Sequence, residues 1–419
     1  MTKRVNGGLF DSAAAGTMTW LDERIDLSSV MQWLKHKKVP VHRHSWIYFL
    51  GGAAMFLFAL QVASGCLMML YYQPTEAAAH ASVQKIMTVV PYGWLIRSVH
   101  VWGAHFFVAA TFLHFLTVLF SRAYRKPREL TWVSGMVLMG LTLTLGFSGY
   151  LLPWTELSYH ATMVGTSIPE AVPGVGQVAT HLLRGGTEIS GDTITRFFAA
   201  HVAIVPAALG AVLALHLLLV QLQGMSLPLG LPRGQVRDER PFFGEFLYLD
   251  AGLWLLLLGV LTTLAVWIPA EVGPQANPLQ PAPVGIKPEW YFLFMFQTLK
   301  CVPETLGVAF FAVCGLFLLL VPWMDRRASR ETRSPAFTIV FLGLLAYAAI
   351  FEAWAWWAPG VPGAKQELVA DTYKLATLIP WLILLWVIIA FLLYYLLQFV
   401  REAARVRRLH RENDPRTAA

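Results

Sequence analysis

Four histidines stand in two pairs inside two long apolar stretches, His100 with His114 and His201 with His216. Imidazole is the commonest side-chain ligand for a transition metal, and two facing imidazoles can fill both axial positions of a haem. An α-helix turns about 100° and rises about 1.5 Å per residue. The fourteen residues from His100 to His114 therefore fall roughly 40° short of four turns. The fifteen from His201 to His216 overshoot four turns by roughly 60°. Each pair lies on nearly one helix face, at two levels roughly 21 Å apart. Two such helices side by side would hold two stacked haems. A single histidine in an apolar helix is more often a hydrogen-bonded core residue. Four of them, in two pairs of matching length, in a medium where polar groups are costly, argue for ligands. His105 lies about 500° from His100, roughly 140° off the ligand face, and reads as structural.

Glycines repeat the interval. Gly51 and Gly65 are fourteen apart in the first apolar stretch, and Gly135 and Gly149 are fourteen apart in the third. A missing side chain lets a neighbour approach closely, and a flat macrocycle needs such room.

These residues must sit in membrane helices. The chain has 419 residues, 56% hydrophobic and only 14% charged, with a mean hydropathy of +0.55, too apolar for a soluble protein of this size. Eight stretches are long enough to cross about 30 Å of hydrocarbon. They cover roughly 46–70, 95–120, 131–152, 197–222, 247–268, 305–323, 336–357 and 375–400. Pro206, five residues after His201, predicts a local kink in the fourth. The net charge of +7 collects in short loops between spans, which points to topology and not to nucleic acid. Arg122, Arg125, Lys126 and Arg128 follow the second span, Arg233, Arg237 and Arg240 the fourth, and Arg326, Arg327, Arg330 and Arg333 the sixth. Arg401, Arg405, Arg407, Arg408 and Arg411 form a basic tail. The positive-inside rule then places both termini in the cytoplasm and runs the second and fourth spans parallel. His100 meets His201 near the outer side, and His114 meets His216 near the inner side.

Residues 1–45 are polar, with no signal-peptide pattern. Trp20, Leu21, Ile25, Leu27, Val30, Met31 and Leu34 give them the character of a helix lying on a membrane surface, with a solvated N-terminal helix as the alternative. Three scattered cysteines, Cys66, Cys301 and Cys314, form no CxxCH and no CxxC, so neither a c-type haem nor a disulfide framework is indicated. Two outer loops are long. The first, about 153–196, follows Gly149-Tyr150-Leu151-Leu152-Pro153-Trp154 and holds two possible surface helices. The second, about 269–304, contains Lys287-Pro288-Glu289-Trp290-Tyr291-Phe292. A carboxylate beside aromatics at a membrane interface is a candidate proton acceptor, although Trp and Tyr also serve there as plain anchors.

At these residues the chain resembles the cytochrome b of quinol:cytochrome c oxidoreductases, the cytochrome bc family. Residues about 20–225 resemble cytochrome b6 of the b6f type. The resemblance rests on Tyr71-Tyr72-Gln73-Pro74-Thr75, Trp94-Leu95-Ile96-Arg97-Ser98-Val99-His100, Lys126-Pro127-Arg128-Glu129-Leu130-Thr131-Trp132, Leu182-Leu183-Arg184-Gly185 and Thr195-Arg196-Phe197. The fifteen-residue histidine interval is of the b6 type. Residues about 240–356 resemble subunit IV of that complex, with its PEWY motif at 288–291. The b6f type divides seven spans between two proteins. Here one chain carries them with an eighth, as in cytochrome b of the bc1 type.

The resemblance implies an all-α integral membrane protein of eight transmembrane helices, whose N-terminal half forms a four-helix dihaem bundle. It implies a cytoplasmic or surface segment at 1–45, the b6-like bundle at 46–222, a subunit IV-like quinol-site region with the extra helix at 223–400, and a basic cytoplasmic tail at 401–419. His100 and His201 would ligate a low-potential b haem near the outer side, and His114 and His216 a high-potential b haem near the inner side. Gly51, Gly65, Gly135 and Gly149 would make room for them. Arg97 would neutralise a haem propionate. Glu289 and Tyr291, with Pro288 and Trp290, would line the outer quinol-oxidation site, with Gly149 and the Pro153-Trp154 turn opposite. Quinol would give one electron to a Rieske iron–sulfur partner and one through the haems to a quinone on the inner side. A c-type cytochrome or equivalent acceptor subunit, membrane lipid and a dimeric complex in an energy-transducing membrane, such as a bacterial inner membrane, complete the expectation.

Departures from the pattern are informative. The b6 type binds a third haem through a cysteine just before the Gly-Gly of its first span, and here that position is Phe49. No covalent third haem is expected. The arginine five residues after the last b6 ligand is Gln221 here, and the Lys-Asp pair of the mitochondrial inner quinone site gives way to Phe246-Leu247. Asp250 or Glu245 could substitute for it. Two other functions compete. A haem b anchor of a quinone-linked dehydrogenase explains the histidines but not the PEWY stretch. A non-redox membrane scaffold or transporter would need buried ions along a path, and the spans hold few.

Overall fold

The structure is a computed structural model that describes residues 8–26, 28–29, 32, 37–229, 231, 238–282, 286–332 and 334–357. Seven of its helices are long and apolar enough to cross a membrane: Ser45–Met69, Gly93–Ser121, Glu129–Tyr150, Gly191–Gln223, Phe242–Trp267, Glu304–Ser329 and Pro335–Trp357. The expected eighth span at 375–400 and the tail from Arg401 to Arg411 lie outside the described residues. So do Arg233, Arg237 and Arg333, and Leu27, Val30, Met31 and Leu34 of the expected surface helix.

In chain order the helices are α1 (Gly8–Ile25), α2 (Phe49–Met69, entered through a 3-10 turn at Ser45–Tyr48), α3 (Ala79–Thr88), α4 (Gly93–Ser121) and α5 (Glu129–Tyr150). Three shorter helices follow on one end of the bundle: α6 (Glu156–Ser167), α7 (Gly176–Arg184) and α8 (Gly191–Ala199). Then come α9 (Val205–Gln223), α10 (Leu247–Trp267), α11 (Trp290–Cys301), α12 (Glu304–Met324), α13 (Arg326–Ser329) and α14 (Pro335–Trp357). Reciprocal capping boxes start α6 at Thr155/Ser158 and α8 at Ser190/Thr193, each satisfying two backbone N–H groups at the helix start.

The fourth span is longer than expected, because α8 runs into α9 through a π-helical turn at Ala200–Ile204 that contains His201. The Val205 N–H bonds Ala200 O, a five-residue step in place of four. Pro206 explains the turn: it has no N–H, and its ring would collide with the carbonyl four residues back. A π turn absorbs one extra residue. The fifteen-residue interval from His201 to His216 thus does the work of the fourteen from His100 to His114.

Within the bundle α2 packs on α4, and α5 packs on α9 and α4. Leu57, Phe107 and Leu209, each near the midpoint of its glycine or histidine pair, are buried at its centre with Leu261 of α10, backed by Leu138, Leu141 and Leu145. An apolar layer therefore separates the two histidine levels. On α10, Leu255 and Leu256 face outward and stay exposed, as suits a lipid-facing surface, where packing rather than water exclusion holds helices together.

At the His114 end the loops after α4, α9 and α12 meet. Arg122 and Asp325, 4% and 1% exposed, pair at 3.3 Å. Asp325 also accepts from Tyr124 Oη at 2.8 Å, from the Ala328 N–H at 3.2 Å and from Ser334. A buried carboxylate is tolerated only with such a full set of partners. Arg125 donates to Leu227 O and Arg128 to Gln223 O. The basic loop residues thus tie span ends together as well as marking one face. The all-α expectation has one small addition here: β1 (Lys38–Val41) pairs antiparallel with β2 (Asp238–Pro241), Val39 opposite Arg240. Pro40 and Pro241 keep the ribbon short.

Candidate functional site

The four glycines and four histidines meet one to one. A Cβ built on Gly51 would stand 3.4 Å from His114 Cε1, on Gly65 3.4 Å from His100 Cε1, on Gly135 3.4 Å from His216 Cε1, and on Gly149 2.6 Å from His201 Cε1. Each glycine of α2 thus backs a histidine of α4, and each glycine of α5 backs a histidine of the fourth span.

Serines complete the arrangement. His100 Nδ1 donates to Ser64 Oγ at 2.9 Å, His216 Nδ1 to Ser134 Oγ at 2.9 Å and His201 Nδ1 to Ser148 Oγ at 3.1 Å. The direction follows from the hydroxyls, which donate to Leu60 O, Thr131 O and Leu145 O one turn back and so present a lone pair to the imidazole N–H. That fixes one tautomer and leaves Nε2 as the ligand atom. Sequence reading missed these serines, although Ser-Gly recurs at 64–65, 134–135 and 148–149. Leu50 precedes Gly51 instead, and His114 Nδ1 has no hydrogen-bond partner among the described residues.

The pairs are His100 with His201, ring centroids 6.3 Å apart, and His114 with His216, which lies within its electrostatic reach. An imidazole–metal bond is about 2.0 Å and the ring centre lies roughly 1 Å behind the nitrogen, so two imidazoles on one metal stand about 6 Å apart. The observed spacing, the cleared ring edges and the fixed tautomers fit a haem between α4 and the fourth span at the His100 level. The His114 level repeats the glycine contacts and one of the two serine bonds.

Arg97 is buried, with Nη1 donating to Ala270 O at 2.7 Å and Nη2 to Glu271 O at 3.1 Å. Its guanidinium pins the second long loop over the His100 end. Three backbone contacts stitch that loop to the Pro153-Trp154 turn: Glu156 N–H to Pro274 O, Ala276 N–H to Trp154 O, and a bridge between Thr155 and Gln275. Trp154 is 1% exposed and adopts a left-handed φ of 49°, a conformation that a tryptophan holds only when its surroundings impose it.

The PEWY stretch forms the start of α11, with Glu289 as its N-cap residue. Tyr291 is buried against Gly146, where a Cβ would come 2.7 Å from its Oη, and Phe292 meets Phe147 edge-on. Gly149, expected opposite this motif, is taken up by His201; Gly146, one turn earlier on α5, fills that place. Burial first, then the nearby Glu289 and Tyr150, holds the Tyr291 phenol well above its ordinary pKa, so it stays a neutral donor. Three polar contacts fasten α11 and its approach to α14: Lys287 Nζ to Trp356 O at 2.9 Å, the Phe294 N–H to Glu352 Oε2 at 3.1 Å, and Thr298 with Tyr347 Oη. His105, roughly 140° from the ligand face by spacing, points its Nδ1 at Glu289 Oε2, 3.9 Å away.

At the other end, Phe49 stacks on Phe246 with ring centroids 4.6 Å apart. Asp250 is 5% exposed and fills the space in front of Gly52, whereas Glu245 lies on the surface and pairs with Arg240. Asp250 is therefore the carboxylate beside the His114 level.

The family described as cytochrome b/b6/petB matches residues 34–224, and that described as cytochrome b(C-terminal)/b6/petD matches residues 275–375. The chain is similar to a cytochrome bc complex cytochrome b subunit of Chlorobaculum thiosulfatiphilum, 45% identical over 346 residues that cover 81% of each chain. It is similar to cytochrome b6 of Acaryochloris marina (strain MBIC 11017), 41% identical over 210 residues, which are 50% of this chain and 97% of that one. Among solved structures it resembles a chain of a hyperthermophilic respiratory complex III with a TM-score of 0.72 and 30% identity, over 90% of this chain and 96% of that one.

Proposed function

The chain belongs to the cytochrome b/b6 family, and from that premise we propose that it is the cytochrome b subunit of a quinol-oxidising bc-type complex. The observation that carries the proposal is the pairing of four glycines with four histidines at two levels, with the His100 and His201 rings one metal's width apart.

His100 and His201 would hold one b haem and His114 and His216 the other, both without a covalent bond. When bound, the haems supply a one-electron path through the apolar layer, from a quinol on the Glu289 side to a quinone on the Asp250 side. The residues supply position. Ser64, Ser148 and Ser134 orient three of the rings. Gly51, Gly65, Gly135 and Gly149 leave room for the four imidazole rings along α2 and α5. Glu289 offers a carboxylate to a quinol hydroxyl proton, and Tyr291, held against Gly146, offers a neutral phenol beside it. Pro288, Trp290, Pro153 and Trp154 line the same side through the stitched loops. Arg97 keeps the second loop over the His100 level, where the charge of its guanidinium suits a propionate. Phe49, at the sequence position of the b6-type thioether cysteine, stacks on Phe246 and carries no sulfur for a covalent third haem.

A Rieske iron–sulfur protein and a c-type cytochrome or equivalent acceptor would complete the complex, in an energy-transducing membrane with both termini on the cytoplasmic side. In this reading residues 46–222 form the dihaem bundle and residues 223–400 the quinol-site region with the extra helix. The test is a haem count on the purified complex by pyridine haemochrome, before and after acid-acetone extraction. Two extractable b haems per chain are expected. None would sink the proposal, and a third that resists extraction would place a covalent anchor the sequence does not display.

A further inference from the structure

The contact between His105 and Glu289 joins two elements that the haem-ligand pattern leaves unconnected. His105 sits on α4 well away from the face of His100. Phe112, seven residues later, shares its face and packs on Trp290 with ring centroids 6.3 Å apart. One face of α4 therefore runs along the start of α11: Phe112 meets Trp290, and His105 Nδ1 stands 3.9 Å from Glu289 Oε2. The Trp102 ring flanks the imidazole at 5.9 Å. The two side chains are 20% and 26% exposed, while His105 Nδ1, the atom facing Glu289, is buried.

We infer that His105 receives the proton that Glu289 takes from quinol, so that the outer site holds a two-station proton relay rather than a lone carboxylate. The inference rests on the proposed quinol site. The step is a proton transfer alone: the O–H bond of the Glu289 carboxylic acid breaks, an N–H bond forms on the imidazole, and a carboxylate–imidazolium pair results. No electron moves in it. At 3.9 Å the transfer needs a small rotation of Glu289 that brings Oε2 within hydrogen-bond reach of Nδ1. The other ionisable groups at this level are Tyr291 on α11 and Tyr150 at the end of α5, both phenols, while Lys287 and Glu352 are engaged in the α11–α14 contacts. Transfer to His105 restores Glu289 as a base before the next quinol arrives.

The test uses the purified complex and infrared titration of the Glu289 carboxyl band, assigned by its loss in Glu289→Gln. Removing the imidazole should raise the midpoint of that band by about one pH unit or more in His105→Leu, because a neighbouring cation no longer favours the carboxylate. Quinol oxidation should slow roughly tenfold at the acid side of its profile, with both haems and their spectra retained. His105→Gln nearly preserves volume and carries the same expectation should the leucine variant fail to assemble. An unshifted band together with an unshifted pH profile would overturn the relay. If Glu289→Gln itself leaves turnover unchanged, the quinol-site reading fails instead, and the infrared midpoint still decides whether the two side chains interact.

Discussion

A methyl group on Gly149 would come within 2.6 Å of His201 Cε1, closer than side-chain carbons approach one another. Gly149→Ala must therefore move the ring or the helix behind it. The same methyl on Gly51, Gly65 or Gly135 would stand at 3.4 Å, the tight edge of ordinary contact. The expected outcome is loss or reorientation of the haem at the His100 level in Gly149→Ala, with two haems kept in the other three alanine variants. A haem count with low-temperature difference spectra reads this. Two unperturbed haems in Gly149→Ala would mean that the ring lies elsewhere.

The serine bonds set an asymmetry between the two levels. A hydroxyl that accepts from Nδ1–H makes the imidazole a stronger electron donor and favours the oxidised metal. Both rings at the His100 level have that bond, and only His216 has it at the other. Ser64→Ala should raise the midpoint potential of the first haem, on the order of 30 mV, half of the 59 mV that a tenfold change represents. Leu50→Ser, which places a hydroxyl before Gly51 as in the other three positions, should lower that of the second. Potentiometric titration separates the two. Shifts in the opposite directions would show that the serines act as donors.

Much of this site is written in intervals. The fourteen-residue spacings place His100, His114 and the four glycines on helix faces, because a long helix keeps strict register between its own residues. What intervals do not carry is the meeting of helices. That Gly149 backs His201 and not Tyr291, and that His105 faces Glu289, depends on how α4, α5 and α11 pack. The extra residue between His201 and His216 is visible in the spacing, and Pro206 marks a kink beside it; that the proline takes up the residue in a π turn follows only from the backbone. The ribbon of β1 and β2 left no pattern, since four residues with a proline in each strand show neither alternation nor length. The Ser-Gly repeat is legible in the sequence but does not by itself mark a ligand-orienting role, because serine in an apolar helix ordinarily bonds its own backbone.

The π turn makes a prediction opposite in sign to intuition. Removing a residue from a helix usually rotates everything beyond it by about 100°. Deletion of Ile204 together with Pro206→Ala should instead convert the π turn to a regular α-helix and leave a fourteen-residue histidine interval like that of α4. Both haems should be retained. Deletion of Leu213, between Pro206 and His216 in the regular part of α9, should cost one haem. Loss of a haem in the first variant, or retention of both in the second, would remove the π turn as the reason for the fifteen-residue interval.

Tyr291 depends on the absence of a side chain at Gly146, where a Cβ would stand 2.7 Å from its Oη and 3.1 Å from the ring. Tyr291 is two residues from Glu289 on the first turn of α11, so displacing it tilts the carboxylate as well. Gly146→Val should slow quinol oxidation roughly tenfold, the scale of a misplaced proton acceptor, while both haems remain. Gly140 on the same helix has nothing within 4 Å of its built Cβ, so Gly140→Val tests the effect of a bulkier residue in α5 without touching the site. Steady-state turnover with a soluble quinol analogue, normalised to haem, compares the two. Equal rates in the two variants would show that Tyr291 does not need the place it holds against Gly146.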